Sequence, residues 1–541
     1  MQVAPTPERA IRPALLVLVV TLGLTALSAF LLEASLHAVA GNSDSATVVL
    51  EGAAISHGHL GLHGWLMTAD SFWSVDALFY AIATMLVGVR AVLMNAVPSV
   101  IAALSIVVAT FVAMHGLNRR ASLPASLFVL ALLGLPGPVL AYFLLQGPWH
   151  VATTLWCLLA FVALLRPPTR LTFLAAVGFL AAGLLGDPMT LTIGCAPLLV
   201  WGLLGIRGRG KEQAAWRPIY AVGMSVVVAL VIRAVAYASG SFAVVARHDP
   251  ITAKQMIWNV LHIAPILSAL FGVGSLPINA PGVSVLFHVA RAIAALFITL
   301  GVLTSLVQLV RRTVRPQTST DASRRVDDLF VAAFFADLVA FVVISSGPAV
   351  NNARYLIPAV IFGSILGARF VGRSVAAIRD RRGLLALGAA GLVLLGAFTL
   401  GSAELLKSPR PARPAVELTA FLERQGLRNG IGDYWSSSIV TVESRENVLV
   451  RPVVTNSAGR IIRDDRQSDA SWYTSTGFEF LVYSRAGPGA GVDLGSASAT
   501  FGEPAHIYDV GTYRLLVWDH PVYVSASVQL PHGPLRGFWE P

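Results

Sequence analysis

HAVAGNSDSATVVLEGAAISHGHLGLHGWLMTADSFWSVDALFYAIATMLVGVR, residues 37–90, lies between two apolar runs and carries polar groups that helix packing in a membrane does not need. It holds four carboxylates, Asp44, Glu51, Asp70 and Asp76, and four histidines, His37, His57, His59 and His63. The flanking runs, near 13–35 and 91–117, are each long enough to cross a membrane as a helix. A hydrocarbon core about 30 Å thick takes roughly 20 residues rising 1.5 Å each. Nine further runs follow, near 123–142, 150–165, 171–186, 188–205, 218–238, 284–310, 327–346, 354–372 and 384–404. The expected architecture is therefore a polytopic α-helical membrane protein of about 11 transmembrane helices. An odd count puts the ends on opposite sides and makes 36–90 a large first outer loop.

Composition agrees with a lipid-solvated chain: 55% of residues are apolar and 13% charged, where a soluble domain carries about a quarter charged. The formal charge of +10 points to nucleic acid until the cations are located. Nineteen of the 39 Lys and Arg fall in turns expected inside, among them Arg119, Arg120, Lys211, Arg311, Arg312, Arg315, Arg381 and Arg382. Only Arg90, Arg247, Lys254 and Arg354 fall outside before residue 405. This is the positive-inside asymmetry of a cell (inner or plasma) membrane protein with a cytoplasmic N-terminus, and it excludes nucleic acid as a partner. The moderately apolar stretch 256–273 would invert every later loop if it crossed, so it is expected on the outer surface as an interfacial helix. The first run is too long for a signal-peptide core and reads as a retained helix. Cys157 and Cys195 sit inside apolar runs and read as small buried residues rather than disulfide partners.

After Glu404 the composition changes: Pro409, Pro411 and Pro414 stiffen a linker, and polar, aromatic and β-branched residues then alternate. Residues 1–404 are expected to form the transmembrane domain and 405–541 a C-terminal soluble extracytoplasmic α+β domain. Residues 416–425 have helical spacing, whereas 438–442, 448–453, 478–482, 505–508 and 513–517 read as strands. The chain carries no internal repeat, no nucleotide-binding glycine motif and no cysteine-based metal signature.

Candidate chemistry concentrates on one face. Asp44 opens a stretch, 45–56, that fits a short helix along the membrane, and it reads either as the cap of that helix or as a reactive carboxylate. Arg354 stands at the outer end of the tenth run, and Arg233 and Arg291 lie within about two turns of the outer ends of the seventh and eighth. Cations at that depth are costly, and each signals either an anion site or snorkelling to the interface. His57, His59 and His63 alternate with Gly58, Gly61 and Gly64, a turn-like spacing that suits hydrogen bonding or loop packing better than a metal. His150, after Gly147-Pro148-Trp149, either lines a cavity or is satisfied in the interior, and Asp187-Pro188 reads as a turn. Arg247-His248-Asp249 reads as a solvated turn. The aromatic clusters Asp433-Tyr434-Trp435, Trp472-Tyr473 and Trp518-Asp519 suit core packing ahead of sugar stacking.

The layout resembles the GT-C superfamily of multi-helix glycosyltransferases, which includes protein O-mannosyltransferases and the aminoarabinose transferase of lipid A. NSDSATVVLEGAAISHGHLGLHG resembles their acidic loop and first surface helix, SVDALFYAIATMLVG the second, and NAVPSVIAALSIVVATFVAMHGLNRR the helix that follows. QGPWHVATTLWCLLAF and NNARYLIPAVIFGS are similar to segments that begin later helices. The resemblance implies a GT-C-type glycosyltransferase, transferring a hexosyl or pentosyl group from a polyprenyl-phosphate-linked donor to a glycan, lipid or protein acceptor at the bilayer. It implies Asp44 as catalytic base in an inverting single displacement and outer cations, Arg354, Arg291 and Arg233, as ligands of the donor phosphate. Glu51, His57, His59, Asp70, His150 and Tyr355 are the candidate substrate-binding residues. The resemblance points to no metal ligand and no certain cofactor, and it leaves a divalent metal open. Many relatives have Asp-Glu in the first loop where this chain has Asp44-Ser45, so the second carboxylate falls to Glu51, Asp70 or Asp76. A transporter or lipid scramblase and a non-catalytic scaffold of cell-envelope assembly stand as the alternatives.

Overall fold

The computed structural model describes residues 7–209, 213–244, 251–276, 278, 282–314, 322–344, 350–474, 477–486 and 491–525. Lys211, Arg315 and Arg247-His248-Asp249 lie outside them. Helix α1 (Pro7–Ala38) leads into the first loop, which folds into α2 (Ser43–Ser56), β1 (Trp65–Met67) and α3 (Ala77–Val87). Then come α4 (Leu93–Met114), α5 (Arg119–Gly134), α6 (Pro138–Leu144), α7 (Val151–Leu165), α8 (Arg170–Gly186), a π-helical turn at Leu191–Cys195, α9 (Ala196–Arg209) and α10 (Gln213–Ala238). Strand β2 (Ala243–Val244) precedes α11 (Ala253–Leu270), α12 (Val285–Val314) and α13 (Ala322–Ile344). A 3-10 turn, Val350–Leu356, opens α14 (Ile357–Ala377), and α15 (Arg381–Lys407) follows.

Every one of the expected apolar runs holds helix, and the chain is a multi-pass membrane protein. Among the described residues six helices are long and apolar enough to cross, or seven if α5 and α6, bent by 84°, form one broken span. Helices α7 and α8 and the segment Leu191–Arg207 are shorter, and α13 carries Asp327, Asp328 and Asp337 along its length. Eleven is therefore the number of helical runs and not of established crossings.

Buried charge in the bundle works at helix ends. The last carbonyls of a helix lack intrahelical donors and carry partial negative charge. Arg369 of α14, wholly buried, donates to Ala113 O at 3.0 Å and His115 O at 2.7 Å at the end of α4, and to Asp327 Oδ1 at 2.6 Å. Asp337 Oδ2 accepts from the Ala359 amide in the first turn of α14 at 2.8 Å. Glycines let these helices approach. A Cβ on Gly301 of α12 would meet Leu366 O at 2.6 Å, and one on Gly367 of α14 would meet Ile298 Cα at 2.8 Å.

The C-terminal unit comprises α16 (Pro414–Gln425), β3 (Asn429–Asp433), α17 (Tyr434–Glu443), β4 (Leu449–Thr455), β5 (Ile461–Arg463), β6 (Ser468–Asp469), β7 (Phe478–Ser484), α18 (Leu494–Phe501), β8 (His506–Val510) and β9 (Tyr513–Val522). Six strands form a mixed sheet in the order β5-β4-β3-β7-β9-β8. Residues 438–442, β-branched and read from sequence as a strand, are helical. Strands β3 and β4 are adjacent and parallel, so the chain between them must cross over, which a hairpin cannot do. Asp433 starts that helix, accepting from the Ser436 amide at 2.9 Å. A second sheet, β2-β1-β6, stitches the first loop to the C-terminal unit: β1 runs parallel to β2 and antiparallel to β6.

Replacing Gly301 with Val is expected to lower the thermal midpoint in lipid nanodiscs by a loss of about 1–3 kcal/mol from overpacking. Gly223→Val, on α10 with open space around it, should leave the midpoint unchanged; equal midpoints for the two variants would contradict the α12–α14 contact.

Candidate active site

A cavity of about 330 Å³ opens where the bundle, the first loop and the C-terminal unit meet. Its lining is assembled from remote parts of the chain. Asp44 comes from the first turn of α2, and Met67, Thr68, Ala69, Asp70 and Phe72 come from β1 and the loop after it. Pro148 and Trp149 precede α7, Arg354 lies in the 3-10 turn before α14, and Asp465, Arg466 and Gln467 lie between β5 and β6.

Asp44 is not the cap of its helix. Asn42 fills that position, its side chain accepting from the Ser45 amide at 2.9 Å. The Asp44 carboxylate is thereby freed to face the cavity, still within reach of the positive helix N-terminus. Its Oδ1 accepts from the Tyr434 hydroxyl at 2.6 Å. Arg354 donates to the Tyr355 hydroxyl at 3.2 Å and stacks over the rings of Tyr355 and Trp149, with centroid distances of 5.0 and 5.6 Å. The charges of Asp70 and Asp44 both act on it. A guanidinium held by aromatic faces can still offer N–H donors to an anion.

Of the sequence-derived candidates, Asp44, Asp70 and Arg354 come together here, with Tyr355 beside Arg354. Arg291 and Arg233 are not among the lining residues. The Arg291 guanidinium is wholly buried between Phe287 and Phe398 and donates to Leu132 O at 2.7 Å and to Leu135 O, closing the end of α5 at the bend into α6. Arg233 is half-buried on α10. His57 and His59 are exposed, and His57 Nδ1 lies 2.7 Å from Ala53 O at the end of α2. Among the described residues no group of three His, Cys, Asp or Glu is arranged to hold a metal. His150 lies behind the lining, its Nδ1 2.7 Å from Asp187 Oδ2 and its ring centroid 4.9 Å from that of Tyr355. Asp187 is more than a turn residue: wholly buried, it also accepts from Thr153 Oγ1 at 2.5 Å and from the Met189 amide at 2.9 Å.

Sequence reasoning missed the contribution of the C-terminal unit. Tyr434 reads from sequence as a core aromatic, whereas the structure sets its hydroxyl against Asp44; the charge-dense run Arg463-Asp464-Asp465-Arg466-Gln467 is the sequence signal for the loop that lines the cavity. Phe72, His150 and Gln467, at or behind the lining, have φ of 52°, 65° and 48°. Backbone strain of this kind in non-glycine residues gathers at functional sites.

The multi-helix membrane unit, its helical first loop and the C-terminal α/β unit together have a GT-C-like fold. ArnT from Cupriavidus metallidurans is similar over nearly its whole length. Its apo state superposes with a TM-score of 0.52 at 14% identity, covering 94% of this chain and 98% of that one. Its form bound to undecaprenyl phosphate gives 0.50 at 14% identity, covering 92% and 97%. The apo oligosaccharyltransferase of Archaeoglobus fulgidus gives 0.50 at 10% identity, covering 86% of this chain and 69% of that one. No family model and no curated protein sequence matches the chain. Likeness at these identities defines the fold, and activity has to be argued from the site.

Glu51, weighed as a substrate ligand, is buried where α2 meets α3 and does not line the cavity. Among the described residues neither of its carboxylate oxygens has a hydrogen-bond partner, nor do Asp76 Oδ2 and the Tyr80 hydroxyl. Burial, and secondarily repulsion from Asp76, pushes the Glu51 carboxyl well above its ordinary range. The folded protein holds this proton at pH values where an unfolded Glu has lost it. Stability is therefore greatest below the ordinary carboxylate range and falls as pH rises through it. Glu51→Gln, neutral at every pH, is expected to raise the thermal midpoint at pH 8 and leave it unchanged near pH 4; a lower midpoint at pH 8 would show that the carboxylate has an ionic partner.

Proposed function

We propose that this protein is a glycosyltransferase that moves a sugar from a polyprenyl-phosphate donor to an acceptor at the outer face of the cell membrane, by single displacement with inversion. The observation that carries the reading is the shared cavity: a carboxylate, Asp44, and a guanidinium, Arg354, line one space at the junction of bundle and C-terminal unit. The acceptor hydroxyl gives its proton to Asp44 as its oxygen attacks the anomeric carbon. The bond from that carbon to the phosphate oxygen breaks, and the lipid phosphate leaves with the electron pair from the opposite face of the sugar. Arg354 neutralises the charge that develops there, where partial exclusion of water strengthens the attraction. Asp70, also in the lining, takes the part of the second carboxylate that Ser45 cannot supply. ArnT, one of the similar structures, is bound to undecaprenyl phosphate, which supports a lipid-linked donor. The cation asymmetry supports an outer site with a cytoplasmic N-terminus. The donor sugar is a hexosyl or pentosyl group, and residues 405–541 act as the acceptor-facing domain above the membrane domain 1–404.

Purified protein in liposomes, given a panel of radiolabelled polyprenyl-phosphate sugars and a cell-envelope extract as acceptor, is expected to release lipid phosphate from one donor. Asp44→Asn should lower kcat about 10²- to 10⁴-fold, and Arg354→Gln about 10²- to 10³-fold. Absence of turnover with every donor, or full activity of the Asp44 variant, rules against this reading.

A further inference from the structure

We infer that Tyr434, carried by the C-terminal unit, is a positioning residue for the transfer: its phenol clamps one oxygen of Asp44 and leaves the other for the acceptor hydroxyl. The inference rests on Asp44 acting as the base. A carboxylate on a half-buried first turn is free to rotate about its last torsion, and a general base must point at the proton it takes. The Tyr434 hydroxyl lies 2.6 Å from Asp44 Oδ1 and 3.0 Å from Gln467 Oε1. One phenol proton cannot serve both acceptors, and the charged one wins. The Gln467 amide then turns its nitrogen toward the phenol oxygen, since oxygen and nitrogen of an amide are assigned from such networks. The result is a directed chain, Gln467 N–H to Tyr434 O–H to Asp44.

The clamp is held from three sides. Asp433, next to Tyr434, accepts from the Ser436 amide at 2.9 Å and from the Ser484 amide at 2.8 Å, fixing the start of α17 to β7. Thr47 of α2 donates to Ser438 of α17 at 2.9 Å, so the base and the phenol ride on helices joined to each other. The Arg466 guanidinium lies 3.7 Å from the centroid of the Tyr434 ring, closing the cavity side. Burial, and next the charge of Asp44, pushes the phenol well above its ordinary range, so it remains a donor across the working pH.

The test uses the full-length protein in liposomes with the same donor panel. Tyr434→Phe removes one hydroxyl, and a hydrogen bond to a charged group of this kind is expected to be reflected in a fall in kcat of about 10- to 100-fold. The KM for the donor and the affinity for undecaprenyl phosphate alone should stay unchanged. Gln467→Met, which loosens the chain one step further back, should lower kcat in the same direction by a smaller factor. In an Asp44→Asn background Tyr434→Phe should have no further effect, because its influence runs through that carboxylate. A structural role would instead move the thermal midpoint and penalise both backgrounds alike, which overturns the inference. An Asp44→Asn protein without activity together with a fully active or faster Tyr434→Phe protein overturns the positioning role alone. Full activity of Asp44→Asn removes the base itself and the inference with it.

Discussion

The seam between α2 and α17 sets the register of the whole molecule. One helix belongs to the first loop of the membrane unit and the other to the crossover of the C-terminal sheet, and nearly every residue along both is buried. Small residues are frequent in both helices, and the Thr47 hydroxyl donates to Ser438 Oγ across the seam at 2.9 Å. A shift of either helix would break that hydrogen bond and move Asp44 away from Tyr434. Because β1, β2 and β6 form a further sheet across the same boundary, the C-terminal unit is stitched to the first loop at two points, and the cavity is defined by both.

Charge inside the bundle serves two ends that look identical in a sequence. Arg291 and Arg369 answer carbonyls at the ends of α5 and α4, which lack intrahelical donors. Arg354 has aromatic neighbours instead of a ring of acceptors, and it opens onto the cavity. The difference lies in what each guanidinium faces: the terminal nitrogens of Arg291 and Arg369 meet carbonyls at helix ends, whereas Arg354 lies against aromatic rings on the cavity wall. Depth in the membrane does not separate the two.

A comparable division runs through the carboxylates of the first loop. Asp44 and Asp70 face a cavity of mixed polarity, where an ionised acid can be solvated or paired. Glu51 on α2 and Asp76 at the start of α3 are buried instead, and among the described residues both Glu51 oxygens and Asp76 Oδ2 lack a hydrogen-bond partner. The first pair is suited to exchange protons with a ligand. The second pair is suited to stay neutral, and its cost is carried by tight packing, with Gly52 set against the backbone of Tyr80.

Sequence alone determined the solvent of this chain and the rhythm of its helices. A run of apolar residues reports on lipid wherever it ends up, and the cation bias reports on sidedness before any contact forms. It also brought out Asp44, Asp70 and Arg354, because an acid or a base at a membrane surface is conspicuous without coordinates. Tertiary structure alone decided which of the conspicuous groups meet. Arg291 turned inward because α5 breaks beside it, and 438–442 became helix because two parallel strands needed a crossover. Gln467 reached the cavity from the C-terminal unit, and the Tyr434 phenol reached Asp44 across 390 residues of chain. Local pattern records how a residue is solvated, whereas a site depends on distances between segments that no local pattern contains.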